Sequence, residues 1–171
     1  MKKLLSISLV FLLCFAFGCQ QGEEVADEPV VDIKAEEASV KDFLYQFEKA
    51  LSSMDLESVS KFIAQDDDIV FIGTDTAEYW TGWEPVEEAF KAIYEAIDSW
   101  EILVDKQTLR VHKSGEVAWF SEVFTQKVVA QEETITHEGL RWTGVLEKRN
   151  DNWVIVQFHS SMPISGQLVE Y

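Results

Sequence analysis

Apolar and polar residues alternate along four stretches of the second half of the chain, residues 100–112, 117–129, 134–149 and 153–162. Alternation with period two is the signature of strands that bury one face. The breaks between them are Ser114-Gly115, Gln131-Glu132-Glu133 and Asn150-Asp151-Asn152. These are turn-forming residues, so the pattern predicts a four-strand antiparallel meander. Upstream the period lengthens. Val40, Phe43, Leu44, Phe47 and Leu51 fall on one stripe of a helix predicted over 38–53. Asp55 is placed to cap a second, short helix carrying Leu56, Val59, Phe62 and Ile63. Residues 69–72 read as a short buried strand closed by Gly73, and 73–82 as a loop with both polar and aromatic side chains. Pro85 suits the first turn of a third helix, whose Val86, Phe90, Ile93 and Ile97 face the core. The fold class is α+β, with three helices laid on one face of the sheet.

Strand alternation sorts the side chains into two sets. One collects Trp119, Ser121, Arg141, Thr143, Gln157 and His159; the other, Phe120, Phe124, Trp142, Leu146, Val154, Val156 and Phe158, is apolar. The mixed set has the composition of a ligand pocket, apolar walls with a few directed polar groups. The apolar set then becomes a broad exposed patch, which predicts a homodimer packed sheet to sheet through Phe120, Phe124, Trp142, Leu146, Val156 and Phe158. The opposing reading makes the apolar set the inner core against the helices, and a β-bulge would reverse the parity beyond it.

Composition adds the class and the address. The 6 Trp, 4 Tyr and 11 Phe among 171 residues suffice for a core. The net charge of −17 argues against nucleic acid, whose phosphates need clustered Lys and Arg, and against docking on anionic lipid. Lys2 and Lys3 precede an apolar run over 4–17 that is too short to span a membrane and has the form of a signal peptide. The segment ends in Ala16-Phe17-Gly18-Cys19. It resembles a bacterial lipoprotein signal, in which Cys19 is lipidated and the membrane is met only through that N-terminus. Residues 1–18 are then the signal, 19–37 an acidic flexible tether and 38–171 the domain, held in the cell envelope on the extracytoplasmic side. An ordinary secretion signal with Cys19 incidental is the alternative. The other cysteine, Cys14, lies in the signal, so a mature domain would have no disulfide and no cysteine metal site.

Several separated motifs occur in order: Phe71-Ile72-Gly73-Thr74-Asp75, Glu78-Tyr79-Trp80-Thr81-Gly82, Val117-Ala118-Trp119, Arg141-Trp142-Thr143, and the run from Trp153 to Ser161. Together they resemble the SnoaL-like domains of the nuclear transport factor two and ketosteroid isomerase superfamily, over about residues 37–163. The resemblance implies a cone, a strongly curved antiparallel sheet wrapped around the helices with a deep pocket at its open end. It also implies a range of activities, from isomerases, cyclases and dehydratases to domains that bind without catalysis.

His159 is the candidate general acid or base, because an imidazole titrates near neutrality. Arg141 could hold a carboxylate or polarise a carbonyl, and Asp75 or Glu78 could supply a carboxylate from the loop. Trp80, Trp119, Ser121, Thr143, Gln157 and Glu78 complete the candidate ligand site. Each has a structural reading beside the functional one: His159 in a polar core, Arg141 paired with Asp75, Trp80 closing hydrophobic packing. The Asp, Tyr and protonated-Asp trio of ketosteroid isomerase finds no residue-by-residue match. His112, His137 and His159 fall on different strands outside any ligand motif, and Asp66-Asp67-Asp68 lacks the spacing of a calcium loop and reads as a solvated turn. No metal is expected. No phosphate loop, dinucleotide fingerprint or serine elbow is present, so no cofactor is expected either. Three functions remain open: a lipid-anchored binder of a small apolar molecule, a cofactor-independent lyase or isomerase using His159, and a non-catalytic structural dimer.

Overall fold

The long helix begins earlier than its apolar stripe requires. In the computed structural model, which describes residues 31–164 and 166, α1 runs Ile33–Ser53. Asp32 caps it, accepting hydrogen bonds from the amides of Lys34 and Ala35 at 3.1 Å. A capping aspartate satisfies two of the free N–H groups at a helix start. Residues 33–37, expected in the tether, are therefore helical, and Glu36 pairs with Lys148 at 2.6 Å, both side chains largely buried. The signal, Cys19 and residues 19–30 lie outside the described residues.

The remaining elements follow in order: α2 Leu56–Ser60, β1 Val70–Ile72, β2 Tyr79–Thr81, α3 Trp83–Ala96, β3 Ser99–Val111, β4 Val117–Ala130, β5 Glu133–Arg149 and β6 Asn152–Ser161. The α+β class and the four-strand meander are as the alternation predicts. Strand β2 falls in the stretch read as loop, and its pairing with β1 makes a six-stranded sheet in the order β2-β1-β6-β5-β4-β3. The sheet is not wholly antiparallel: β1 pairs with β6 in parallel, Phe71 beside Phe158. The sheet is curved and unclosed, with β2 and β3 at its edges.

Three bulges supply register shifts. β3 carries an extra residue at Asp105, β6 one at Val156, and β5 one between Leu140 and His137. The last includes Gly139 at φ +71°, a conformation other residues rarely adopt.

The core settles which face lies inward. Phe120, Phe124, Trp142, Leu146, Val156 and Phe158 are all buried, none more than 9% exposed, with Val40, Leu44, Phe47 and Leu51 of α1 and Val86 and Phe90 of α3 in the same core. The set expected as a dimer surface is the interior of the cone, so these residues offer no face to a second copy. The physical reason is the demand of the helices: two apolar stripes need an apolar sheet face, and only one exists. Phe158 is the hub, with ring centroids 4.9 Å from Phe71, 5.3 Å from Trp142, 5.7 Å from Phe47 and 6.3 Å from Phe120. At the other end of the domain, Arg149 gathers Asp66, Asp68 and Glu147. The aspartate run read as a solvated turn thus anchors a loop to the end of β5.

Candidate functional site

Curvature of the sheet leaves a cavity of about 200 Å³ between its inner face and the helices. From α1 come Phe47 and Leu51; from α3, Phe90 and Ile93, with Ile97 just beyond its end. The β1–β2 arm contributes Phe71, Gly73, Thr74, Glu78 and Trp80. The long strands close the other side with Trp100, Gln126, Val128, Leu140, Trp142, Phe158 and Ser160. Aromatic and aliphatic walls dominate. Among the described residues, no lysine, arginine or histidine is in the lining, and Glu78 is its one ionisable group.

Glu78 is fixed by backbone. Its Oε2 accepts from the amide of Thr74 at 2.6 Å and of Asp75 at 2.9 Å, while Gly73 donates its N–H to the Glu78 carbonyl at 2.8 Å. A Cβ on Gly73 would stand 2.6 Å from the Cβ of Glu78, so the carboxylate can fold back on the turn only because residue 73 has no side chain. With Oε2 held by two amides, Glu78 rigidifies the rim.

The sequence-predicted residues divide. Glu78 and Trp80 line the cavity, and Asp75 sits on the exposed turn beside it, accepting from the Ala77 amide at 2.9 Å. Trp119, Ser121, Arg141, Thr143, Gln157 and His159 do come together, but on the outer face. Ser121 pairs with Thr143, Thr143 with His159, and Arg141 with Val123 and Ser161. Trp119 is 48% exposed there. The cone-cavity position expected for these six residues is thus corrected, for the same reason that places the aromatic set inside; Trp119, Ser121, Thr143 and Gln157 line a separate groove with Thr108, Leu109 and Arg110 instead. The catalytic set of His159, Arg141 and Asp75 is split between the outer face and the rim. No ion pair links Arg141 and Asp75 among the described residues.

Sequence reasoning missed Trp100, Gln126, Leu140, Trp142, Phe158 and Ser160 as cavity residues. All belong to the inner set once the face is chosen. The bulges hid two further relations. Val156 splits β6, so that Trp153 and Ile155 join Phe158 inside rather than Gln157 outside. The bulge at Gly139 brings His137 opposite Gln126, with His137 Nδ1 and Gln126 Nε2 3.2 Å apart at the edge of the cavity.

A second group of ionisable side chains lies apart from the cavity. Glu122, 3% exposed, projects from β4 into the core and accepts from Gln107 Nε2 at 2.8 Å. Glu48 of α1 meets it carboxyl to carboxyl, and burial first, then the charge of Glu122, push Glu48 up to about 7. Burial also raises Glu122, against the hydrogen bonds from Gln107 and Glu48.

Among the described residues no group of three or more His, Cys, Asp or Glu is placed to hold a metal ion. No described helix is long and apolar enough to cross a membrane.

Comparison with known proteins agrees with this fold. A family model described as a SnoaL-like domain matches residues 40–165. A nuclear transport factor 2-like superfamily protein from Salmonella enterica serovar Typhimurium superposes with a TM-score of 0.71 at 17% identity, over 81% of this chain and 98% of that one. A candidate dehydratase of the same family from Streptomyces avermitilis gives 0.70 at 13% identity, over 77% and 99%. A candidate scytalone dehydratase from Novosphingobium aromaticivorans gives 0.67 at 10% identity, over 77% and 86%. At such identities the likeness is one of fold. No curated protein matches in sequence.

Proposed function

Because the chain belongs to the SnoaL-like domain family, we propose that its cone cavity binds a small, uncharged, largely apolar molecule of about one ring. The observation that carries this reading is the cavity itself. Its volume of about 200 Å³ compares with the roughly 150 Å³ that admits benzene in an engineered apolar core, and falls below the roughly 300–1,000 Å³ usual for drug-sized ligands. A four-ring steroid is too large for it. The absence of a cation from the lining, together with a chain charge of −17, disfavours an anion.

The test is a thermal-shift panel of neutral one-ring compounds on the wild type and two variants. Val128 lines the cavity and is only half-buried, so Val128→Trp fills the space without overpacking the deep core. At least one compound is expected to raise the wild-type midpoint by several degrees, and Val128→Trp to abolish that shift. His159→Ala, on the opposite face, is expected to leave it unchanged. A panel with no hit, or a hit indifferent to Val128→Trp, would sink the reading. Loss of binding in His159→Ala would return weight to a lyase or isomerase centred on that residue.

We further propose, from the sequence alone, that a lipid at Cys19 holds the domain in the cell envelope. Its support is the order of Lys2, Lys3, a short apolar run and Gly18-Cys19. Labelling of a bacterial host with a fatty-acid analogue is expected to mark the wild type and not Cys19→Ala. Label on both forms, or on neither, overturns the anchor.

A further inference from the structure

We infer that the Glu48–Glu122 pair is a proton-operated latch that holds helix α1 against strands β3 and β4, and with it one wall of the cavity. Glu48 of α1 lines the same groove as Gln107 of β3, and Gln107 holds Glu122, deep in the core, so the two carboxyl groups meet across the seam between helix and sheet. None of the ion pairs formed among the described residues includes either group, so no cation neutralises them. Two carboxylates in contact in a poorly solvated place cannot both stay ionised at little cost; they share a proton. With that proton present, one carboxyl donates to the other and Gln107 donates to Glu122, so the seam is satisfied. Without it, two negative charges face each other and α1 is pushed from the sheet.

The surroundings do not override the pair. On α1, Lys41, Asp42 and Tyr45 line the groove above Glu48, and Lys49 sits over the Tyr45 ring at 4.5 Å. On β3 the groove is lined by Asp105, Lys106 and Gln107, and Asp105 is engaged by the Thr125 hydroxyl. Across β5 the register partner of Glu122 is Trp142, which carries no charge. The groove thus carries two charges of each sign, Lys41 and Lys106 against Asp42 and Asp105, and the shifts of Glu48 and Glu122 come from burial, from each other and from Gln107.

The pH window follows from linkage. Both groups ionise in the ordinary carboxylate range when unfolded, whereas Glu48 in the folded chain does so near 7. The folded chain therefore binds more protons between those limits. The latch is at full strength below the unfolded range, weakens as pH rises through the window, and is spent above about 7. Phe47 and Leu51, one residue before and three after Glu48, are cavity walls, so release of α1 would loosen the hold on a ligand. That last step rests on the cavity reading; the latch does not.

Hydrogen exchange tests it on the full chain without any ligand. Protection of α1 amides, corrected for intrinsic rates and referenced to α3, is expected to fall several-fold between about pH 6 and about pH 8. Glu122→Gln keeps the hydrogen bonds and removes the charge, and should flatten the difference. Glu48→Gln, at a half-buried position, gives the same readout should the buried variant fail to fold. Equal α1 protection at both pH values in the wild type, or a pH dependence that survives in Glu48→Gln, overturns the latch while leaving the cavity reading untouched.

Discussion

Replacing Phe158 with alanine is expected to cost about 3–5 kcal/mol, the range for deleting a buried phenylalanine ring. A domain of this size has only about 5–15 kcal/mol to lose. The ring is 3% exposed and lies within 6.3 Å, centroid to centroid, of four other aromatic rings supplied by α1, β1, β4 and β5. A neighbour that moved into the space would have to leave its other contacts, and the hole would open into the cavity that Phe158 lines. Aromatic pairs also add about 0.5–1.5 kcal/mol each beyond area burial. Urea denaturation measures the loss directly, and Phe158→Leu should recover a large part of it. A cost for Phe158→Ala below about 1 kcal/mol would mean that the cluster repacks and that Phe158 is not its centre.

Gly144→Ala is expected to cost about 1–3 kcal/mol or more, through crowding rather than a hole. A Cβ there would stand 2.5 Å from Cε1 and 2.9 Å from Cζ of Phe120, and 2.8 Å from the Gln157 carbonyl oxygen. The ring is buried and the carbonyl belongs to the neighbouring strand, so neither yields cheaply. The glycine is therefore needed for close approach, not for an unusual backbone angle. A double-mutant cycle with Phe120→Leu separates the two contacts. A smaller residue at 120 should relieve part of the Gly144→Ala penalty, and the unrelieved part belongs to Gln157. Strict additivity would show that the ring is not the obstacle.

The four strands, the helical stripes and their order were legible because each writes a period into the chain. The choice of face was not, because alternation yields two sets and does not say which meets the helices. A deciding signal was present nonetheless. Val40, Leu44, Phe47 and Leu51, with Val86 and Phe90, require an apolar partner, and the set containing Phe120, Trp142 and Phe158 is the one that qualifies. Assigning that set to a dimer left the helices facing Arg141 and His159. Glu78 and Trp80 were found because a loop of polar and aromatic residues beside a strand often borders a site. Trp100 and Gln126 were lost with the wrong face. The bulge at Gly139 carried a cue, since a glycine inside a strand often marks one, whereas nothing in Trp153-Val154-Ile155-Val156 distinguishes Val156 as the extra residue. Glu122 was readable in part: alternation sets it on the face of Phe120 and Phe124, but its meeting with Glu48 of α1 is made only by the tertiary fold.

The parallel pairing of β1 with β6 also bears on the order of folding. The hairpins from β3 to β6 join neighbours in sequence, and short loops close quickly. Val70 must instead find Gln157 across almost the whole domain, after β6 is already in place to receive it. The arm that carries Phe71, Glu78 and Trp80 should then be the last part of the sheet to assemble. With three residues in each of its strands, it is also the part that opens at least cost. Any ligand exchange that requires this arm to lift Phe71 from Phe158 would share its rate-limiting motion with the last step of folding.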